Sequence, residues 1–331
     1  MVSHGICGHN FEAFELTSRL LKGNTPVKYL IPDTDQVAEN VKDALSTKYS
    51  NFKDIPIING KPSFLIGGLV ILCDGALPTK GVIHAKTLVM ILCGKDFWWA
   101  KNIKMFTGDT LEIWYDERLG YDTTGLVKTI HSYNPKLKII LKGNYIKGIN
   151  FELYKFKQPD RDQTKHSYLV YSTGNCRDIY LADSKYRSDT LKEIKDIINS
   201  THTNIQTHNK KLLILGWNPN YSIEEKMYFN KHKDQKIFND RRLASIYADD
   251  TSEYFGIEVD VIPECDLPIN NILSEFNTYI YTPTEKNWDC SSRLVLECKY
   301  FSKEVILTPT AKALLPGNLG LLTRLQDAKI L

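Results

Sequence analysis

The chain has 331 residues, of which 42% are hydrophobic, 24% charged and 11% aromatic, and it carries a net charge of +3. That length and apolar content support a sizeable core and two domains, in the composition range of ordinary soluble globular proteins. The slight positive charge permits a local basic face for nucleic acid without demanding one.

The seven cysteines form no CxxC pair and fall mainly in or beside apolar runs. They read as buried thiols of a reducing compartment, with neither a disulfide framework nor a zinc site indicated. The most apolar stretch, residues 82–93, is interrupted by His84 and Lys86 and is too short to span a bilayer. The amino terminus lacks the basic and apolar regions of a signal peptide, so a cytoplasmic protein is expected, in the host cytoplasm if viral. Richness in Lys, Asn, Ile and Tyr matches the coding bias of an AT-rich genome.

In chain order, residues 2–7 predict a strand, Gly8-His9-Asn10 a turn and residues 11–21 an amphipathic helix, with Asn10 as N-cap and Glu12 in the first turn. A Rossmann-like domain begins this way, but no GxGxxG is present, which disfavours a dinucleotide site. His9 and Asn10 are placed at the rim of an interdomain cleft; the other reading is that they only cap the helix. Residues 27–31 predict the next strand and residues 33–49 a helix. Strands follow at 63–73, 87–93 and 111–115, as in a mostly parallel sheet. Their polar ends, Asp74-Gly75, Gly94-Lys95-Asp96 and Asp116-Glu117-Arg118, offer carboxylates suited to general-base work at a cleft.

Residues 136–157 are basic, with Lys142 and Lys147 among six lysines and with Tyr145, Phe151, Tyr154 and Phe156 interleaved. That mixture suits a phosphate backbone and bases, or equally strands with lysines on the solvent face. The polar segment 158–165 reads as the interdomain linker. A strand at 167–171 then runs into Ser172-Thr173-Gly174-Asn175, where small side chains and backbone N–H groups can approach a phosphate. Arg177 and Arg187 follow as sources of charge. Residues 188–198 predict a helix and 211–215 a strand ending at Trp217, a residue for base stacking or for core packing. Residues 227–242 are rich in lysine and arginine, and 257–262 predict another strand.

Near the end of the chain, residues 278–283 alternate β-branched and aromatic residues as a buried strand does. A polar loop with Asp289, Ser291 and Ser292 follows, then a helix over 293–300 and a strand over 304–308. Such a loop sits outside the carboxyl end of its strand, facing an anion at the helix amino terminus. Read without any resemblance, Arg293 and Glu297 form an i,i+4 surface pair and a serine caps the helix.

The order of polar loop, Arg293, Glu297 and the strand beginning KEVI resembles the donor-site segment of GT-B glycosyltransferases. By that resemblance Ser291, Ser292 and Arg293 would contact the diphosphate of a nucleotide sugar and Glu297 the ribose. Ser172, Gly174, Asn175 and Arg177 would form the first donor-domain loop, and Trp217 and Asp289 would complete the donor set. The segment IWYDERLGYD, residues 113–122, resembles the strand and D-x-R-L turn that bears the catalytic aspartate in DNA glucosyltransferases of T4-like bacteriophages, except that Gly120 stands where that family has proline. The match implies Asp116 as base, with Arg118 beside it; the other reading is a solvated turn.

The resemblance implies an α/β fold of two Rossmann-like domains facing a cleft (GT-B). Residues 1–160 would bind the acceptor through His9, Asn10, Asp74, Lys142 and Lys147. Residues 161–310 would bind the donor, and residues 311–331 would form a helix returning to the first domain. The implied reaction moves a sugar from a nucleotide sugar, with a UDP-sugar favoured, to a hydroxymethylated base in double-stranded DNA. Inversion follows if Asp116 is the base. No cofactor is required and no membrane is involved. The D-x-D pairs Asp33/Asp35 and Asp160/Asp162 fall in a helix start and in the linker, so neither insists on a metal. The alternatives are a saccharide acceptor and a non-catalytic nucleic-acid-binding protein.

Overall fold

The structure, a computed structural model, describes residues 8–32, 35–60, 64–73, 81–92, 97–146, 148–156, 160, 162–171, 184–217, 252–263, 269–282, 293–317 and 319–331. The chain divides into two compact units, Met1–Lys155 and Phe156–Leu331.

In the first unit the elements run α1 (Gly8–Lys22), β1 (Tyr29–Pro32), α2 (Asp35–Lys48), β2 (Ile57–Gly60), β3 (Phe64–Cys73), β4 (Val82–Ile91), β5 (Thr110–Trp114), α3 (Thr123–Tyr133) and β6 (Lys138–Lys142). Strands β3, β4, β5 and β6 form a parallel sheet in that order, and β1 pairs with β2 in a parallel ribbon. Leu88 and Met90 of β4 pack on one face with Leu111 and Ile113 of β5 and with Leu126 and Ile130 of α3. Val89 and Ile91 face the other way, against Leu16 of α1. A strand covered on both faces needs a near-continuous apolar run, and 88–92 supplies it. Each such side chain contributes about 1.5–3 kcal/mol of burial.

Two expectations are corrected in this unit. Helix α1 already begins at Gly8, so Gly8-His9-Asn10 is its first turn and Asn10 is not its N-cap. Strand β4 begins five residues earlier than residue 87, because His84 and Lys86 do not interrupt it; they are exposed and alternate with buried Ile83 and Ala85. Three aromatics of the basic stretch make ring contacts within the unit. Tyr154 is buried edge-on against Tyr49, with Phe151 tilted on Tyr154, and Tyr145 packs on Trp114.

In the second unit the order is β7 (His166–Tyr171), α4 (Ser184–Ser200), β8 (Lys210–Trp217), β9 (Glu258–Pro263), α5 (Ile269–Glu275), β10 (Thr278–Tyr281), α6 (Arg293–Tyr300), β11 (Glu304–Leu307), α7 (Pro309–Leu314) and α8 (Leu319–Asp327). All five strands are parallel, arranged β9-β8-β7-β10-β11. Period-2 alternation divides them between two cores. Tyr168, Val170, Leu212, Ile214 and Ile280 meet α4 through Ile194 and Ile198. Leu169, Leu213, Tyr279, Tyr281 and Leu307 meet Val295 and Cys298 of α6 and Leu325 and Ala328 at the carboxyl terminus. Thr308 starts α7 as its N-cap, accepting from Ala311 N, with Pro309 in the first turn.

Candidate functional site

The second unit's strand order is 3-2-1-4-5 in chain order, with the direction of winding reversing between β7 and β10. At such a reversal the connections leaving two neighbouring strands diverge to opposite faces, and a crevice opens beyond their carboxyl ends. Strand β7 ends at Tyr171 and β10 at Tyr281. Ser172, Gly174, Asn175 and Arg177 follow β7 in sequence, and Asp289, Ser291 and Ser292 fall between β10 and α6. All seven lie outside the described residues, as do Asp74 and Lys147. His9 and Asn10 belong to α1 and Trp217 ends β8, but their side chains are likewise outside what is described.

Arg293 and Glu297 are the described members of the donor set. Arg293 opens α6, and its Nε donates to Glu297 Oε1 at 3.1 Å. The side chain of Glu297 is 1% exposed and that of Arg293 13%, so this is a buried pair and not the surface pair that the spacing alone suggests. Burial pushes the neighbouring Cys298 thiol well above its usual range, and the Glu297 charge adds to the effect against an opposing contribution from Lys303.

In the first unit Asp116 lies just beyond β5. It is buried, and it caps the 3-10 turn Glu117–Leu119 by accepting from Arg118 N. The Arg118 guanidinium returns to the same carboxylate, with Nε 2.9 Å from Oδ1 and Nη2 2.7 Å from Oδ2. This two-pronged arrangement fixes the carboxylate plane. The backbone around it is tied to the end of β6: Tyr115 N donates to Lys142 O, Glu117 N to Gly143 O and Tyr145 N to Tyr115 O. Lys142 is the register partner of Trp114, and its ammonium lies 2.7 Å from Glu112 Oε2 and 5.4 Å from the Trp114 ring centroid. Trp114 Nε1 also donates to Glu112. The hydrogen bonds from Lys142 and Trp114 hold the Glu112 carboxyl below its ordinary range despite an opposing burial effect.

Sequence reasoning missed the acidic face that α1 brings to this edge. Glu12 accepts from Tyr145 Oη at 2.6 Å and lies 3.7 Å from Arg19, while Glu15, fully buried, accepts from Tyr49 Oη and Asn150 N. The available signal was periodicity. Phe11, Phe14, Glu15 and Ser18 share one helical stripe, and a carboxylate within an apolar stripe requires buried donors. Glu112 thus links Lys142 and Trp114 across β5 and β6, the Trp114 ring meets Tyr145, which donates to Glu12, and Asp116 with Arg118 forms its own pair just beyond β5.

Two parallel α/β units, the second wound in Rossmann order, define a two-domain Rossmann-like α/β protein. Among the described residues no helix is long and apolar enough to cross a membrane. No protein-family model matches the chain, and no curated protein matches it either.

Proposed function

We propose that the chain is a GT-B-type glycosyltransferase that moves a sugar from a nucleotide-diphosphate donor, a UDP-sugar, to a hydroxyl acceptor. The observation that carries this reading is the winding reversal between β7 and β10. Both segments singled out as phosphate loops leave the two strands that flank it, where open α/β sheets receive their ligands. In this reading Arg293 and backbone N–H groups balance the charge growing on the leaving diphosphate. Asp116, oriented by Arg118, removes the acceptor hydroxyl proton as the oxygen attacks the anomeric carbon, which gives inversion.

For the acceptor we favour a hydroxymethylated base in double-stranded DNA, on the resemblance of residues 113–122 and the basic stretch 136–157. A saccharide acceptor is the second reading. It gains from the Glu112–Trp114 pair on β5, since sugars bind against acidic and aromatic side chains. The test is transfer of labelled glucose from UDP-glucose to hydroxymethylated DNA, unmodified DNA and oligosaccharides. The reading requires transfer to one of them and loss of about 100-fold or more in Asp116→Asn. Transfer to none, across several nucleotide sugars, would overturn it.

A further inference from the structure

At the opposite, amino-terminal edge of the second sheet, three chain segments bring together two imidazoles and a carboxylate. His166 begins β7, Glu304 begins β11, and His202 follows α4. Strand register accounts for part of the meeting: Thr278 at the start of β10 pairs with Glu304 on one side and Tyr168 on the other, and His166 shares the face of Tyr168 by alternation. The two rings stack at 3.6 Å between centroids, 24° from parallel. His202 Nε2 lies 2.9 Å from Glu304 Oε2, which also accepts from Thr278 Oγ1 at 2.7 Å, and His166 Nε2 lies 2.9 Å from that hydroxyl.

One ligand atom from each of His166, His202 and Glu304 falls within 4.8 Å of the others. A tetrahedral zinc ion with bonds near 2.0–2.2 Å needs its donors about 3.4 Å apart. The longest separation must contract by about 1.4 Å, through rotation of the exposed Glu304 and a turn of the half-buried His202 ring out of its stack on the buried His166. Two imidazoles and one carboxylate suit zinc, whereas calcium and magnesium call for oxygen ligands. The three side chains line a cavity of about 490 Å3 together with Asn277, Thr278 and Ser302 among others. A fourth coordination position would therefore face an open space of mixed lining with room for water. Lys303, which also lines it, donates its ammonium to Phe276 O, and Lys299 is exposed.

We propose that the chain binds one zinc ion through His166, His202 and Glu304. The ligands lie 36 and 102 residues apart in sequence, so no spacing motif announces the site. The ion would join β7, β11 and the α4–β8 connection at the edge of the sheet remote from the proposed donor loops.

The test uses the full chain stripped with a chelator, titrated with zinc by calorimetry and with cobalt(II) by absorption spectroscopy. One ion per chain is expected, with a raised melting temperature and a cobalt spectrum lacking thiolate charge transfer. His202→Ala and Glu304→Gln should each weaken binding about tenfold or more while keeping a native circular dichroism spectrum. Absence of binding by the unmodified chain would overturn the proposal. So would unchanged affinity in both folded variants, or a thiolate signature assigning the ion to cysteine.

Discussion

Arg293 and Glu297 stand one turn apart on α6, joined by a 3.1 Å hydrogen bond, and the glutamate is almost wholly withdrawn from solvent. Removing one partner of a buried pair weakens the support of the other charge, at a cost of up to about 3–5 kcal/mol, whereas replacing both by apolar residues is often nearly neutral. Urea unfolding should therefore find Arg293→Ala strongly destabilised, and Arg293→Met with Glu297→Leu restored to near the parent. The restored double variant is the informative one. If the pair also serves the donor, that variant is stable yet loses sugar transfer; a stable and active double variant would confine the pair to packing.

Lys142 separates the two acceptor readings. It is half-exposed at the end of β6 and held by Glu112. Should it meet a DNA phosphate, Lys142→Ala lowers the slope of log affinity against log salt by about 1, with weakening that does not depend on base sequence. An unchanged slope in DNA-binding titrations would favour the saccharide.

Lys211 predicts a pH dependence at the alkaline end. Burial lowers its pKa, but hydrogen bonds from its ammonium to Asp260 and Glu258 outweigh this and raise it. A lysine whose folded pKa exceeds its unfolded value adds stability that is complete below about pH 10.4 and is lost as pH rises through the folded value. The contribution is small and salt-sensitive because the partners are exposed. Melting temperatures of Lys211→Met should thus differ from the parent at neutral pH and low salt, and converge with it at the alkaline end.

Cys298, fully buried with its thiol held protonated, should resist alkylation in the folded chain and react once the chain is unfolded. Peptide mapping after maleimide treatment, with and without denaturant, measures this. Labelling under native conditions would show that α6 opens.

Much of the second unit was legible because its strands are short apolar runs covered on both faces, and β10 and α6 begin at Thr278 and Arg293 as their patterns indicate. The start of β4 is hidden in the sequence because His84 and Lys86 look like breakers until alternation assigns them to an exposed face. The candidate site was less legible. Asp116 and Arg118 stand two residues apart, and their proximity follows from spacing. Tyr145 meets Glu12 across 133 positions, and only the folded sheet supplies that contact. Likewise, Arg293 and Glu297 show their spacing in sequence but not their burial, which depends on α6 packing over β10 and β11.

Binding of a nucleotide sugar beyond the carboxyl ends of β7 and β10 can be followed by amide hydrogen exchange of the full chain with and without UDP-glucose and other nucleotide sugars. A bound donor slows exchange where it pairs with backbone N–H groups. Added protection is expected in peptides spanning 172–183 and 283–297, matched by a rise in melting temperature. Protection confined to other segments, or none with any nucleotide sugar at millimolar concentration, would contradict it.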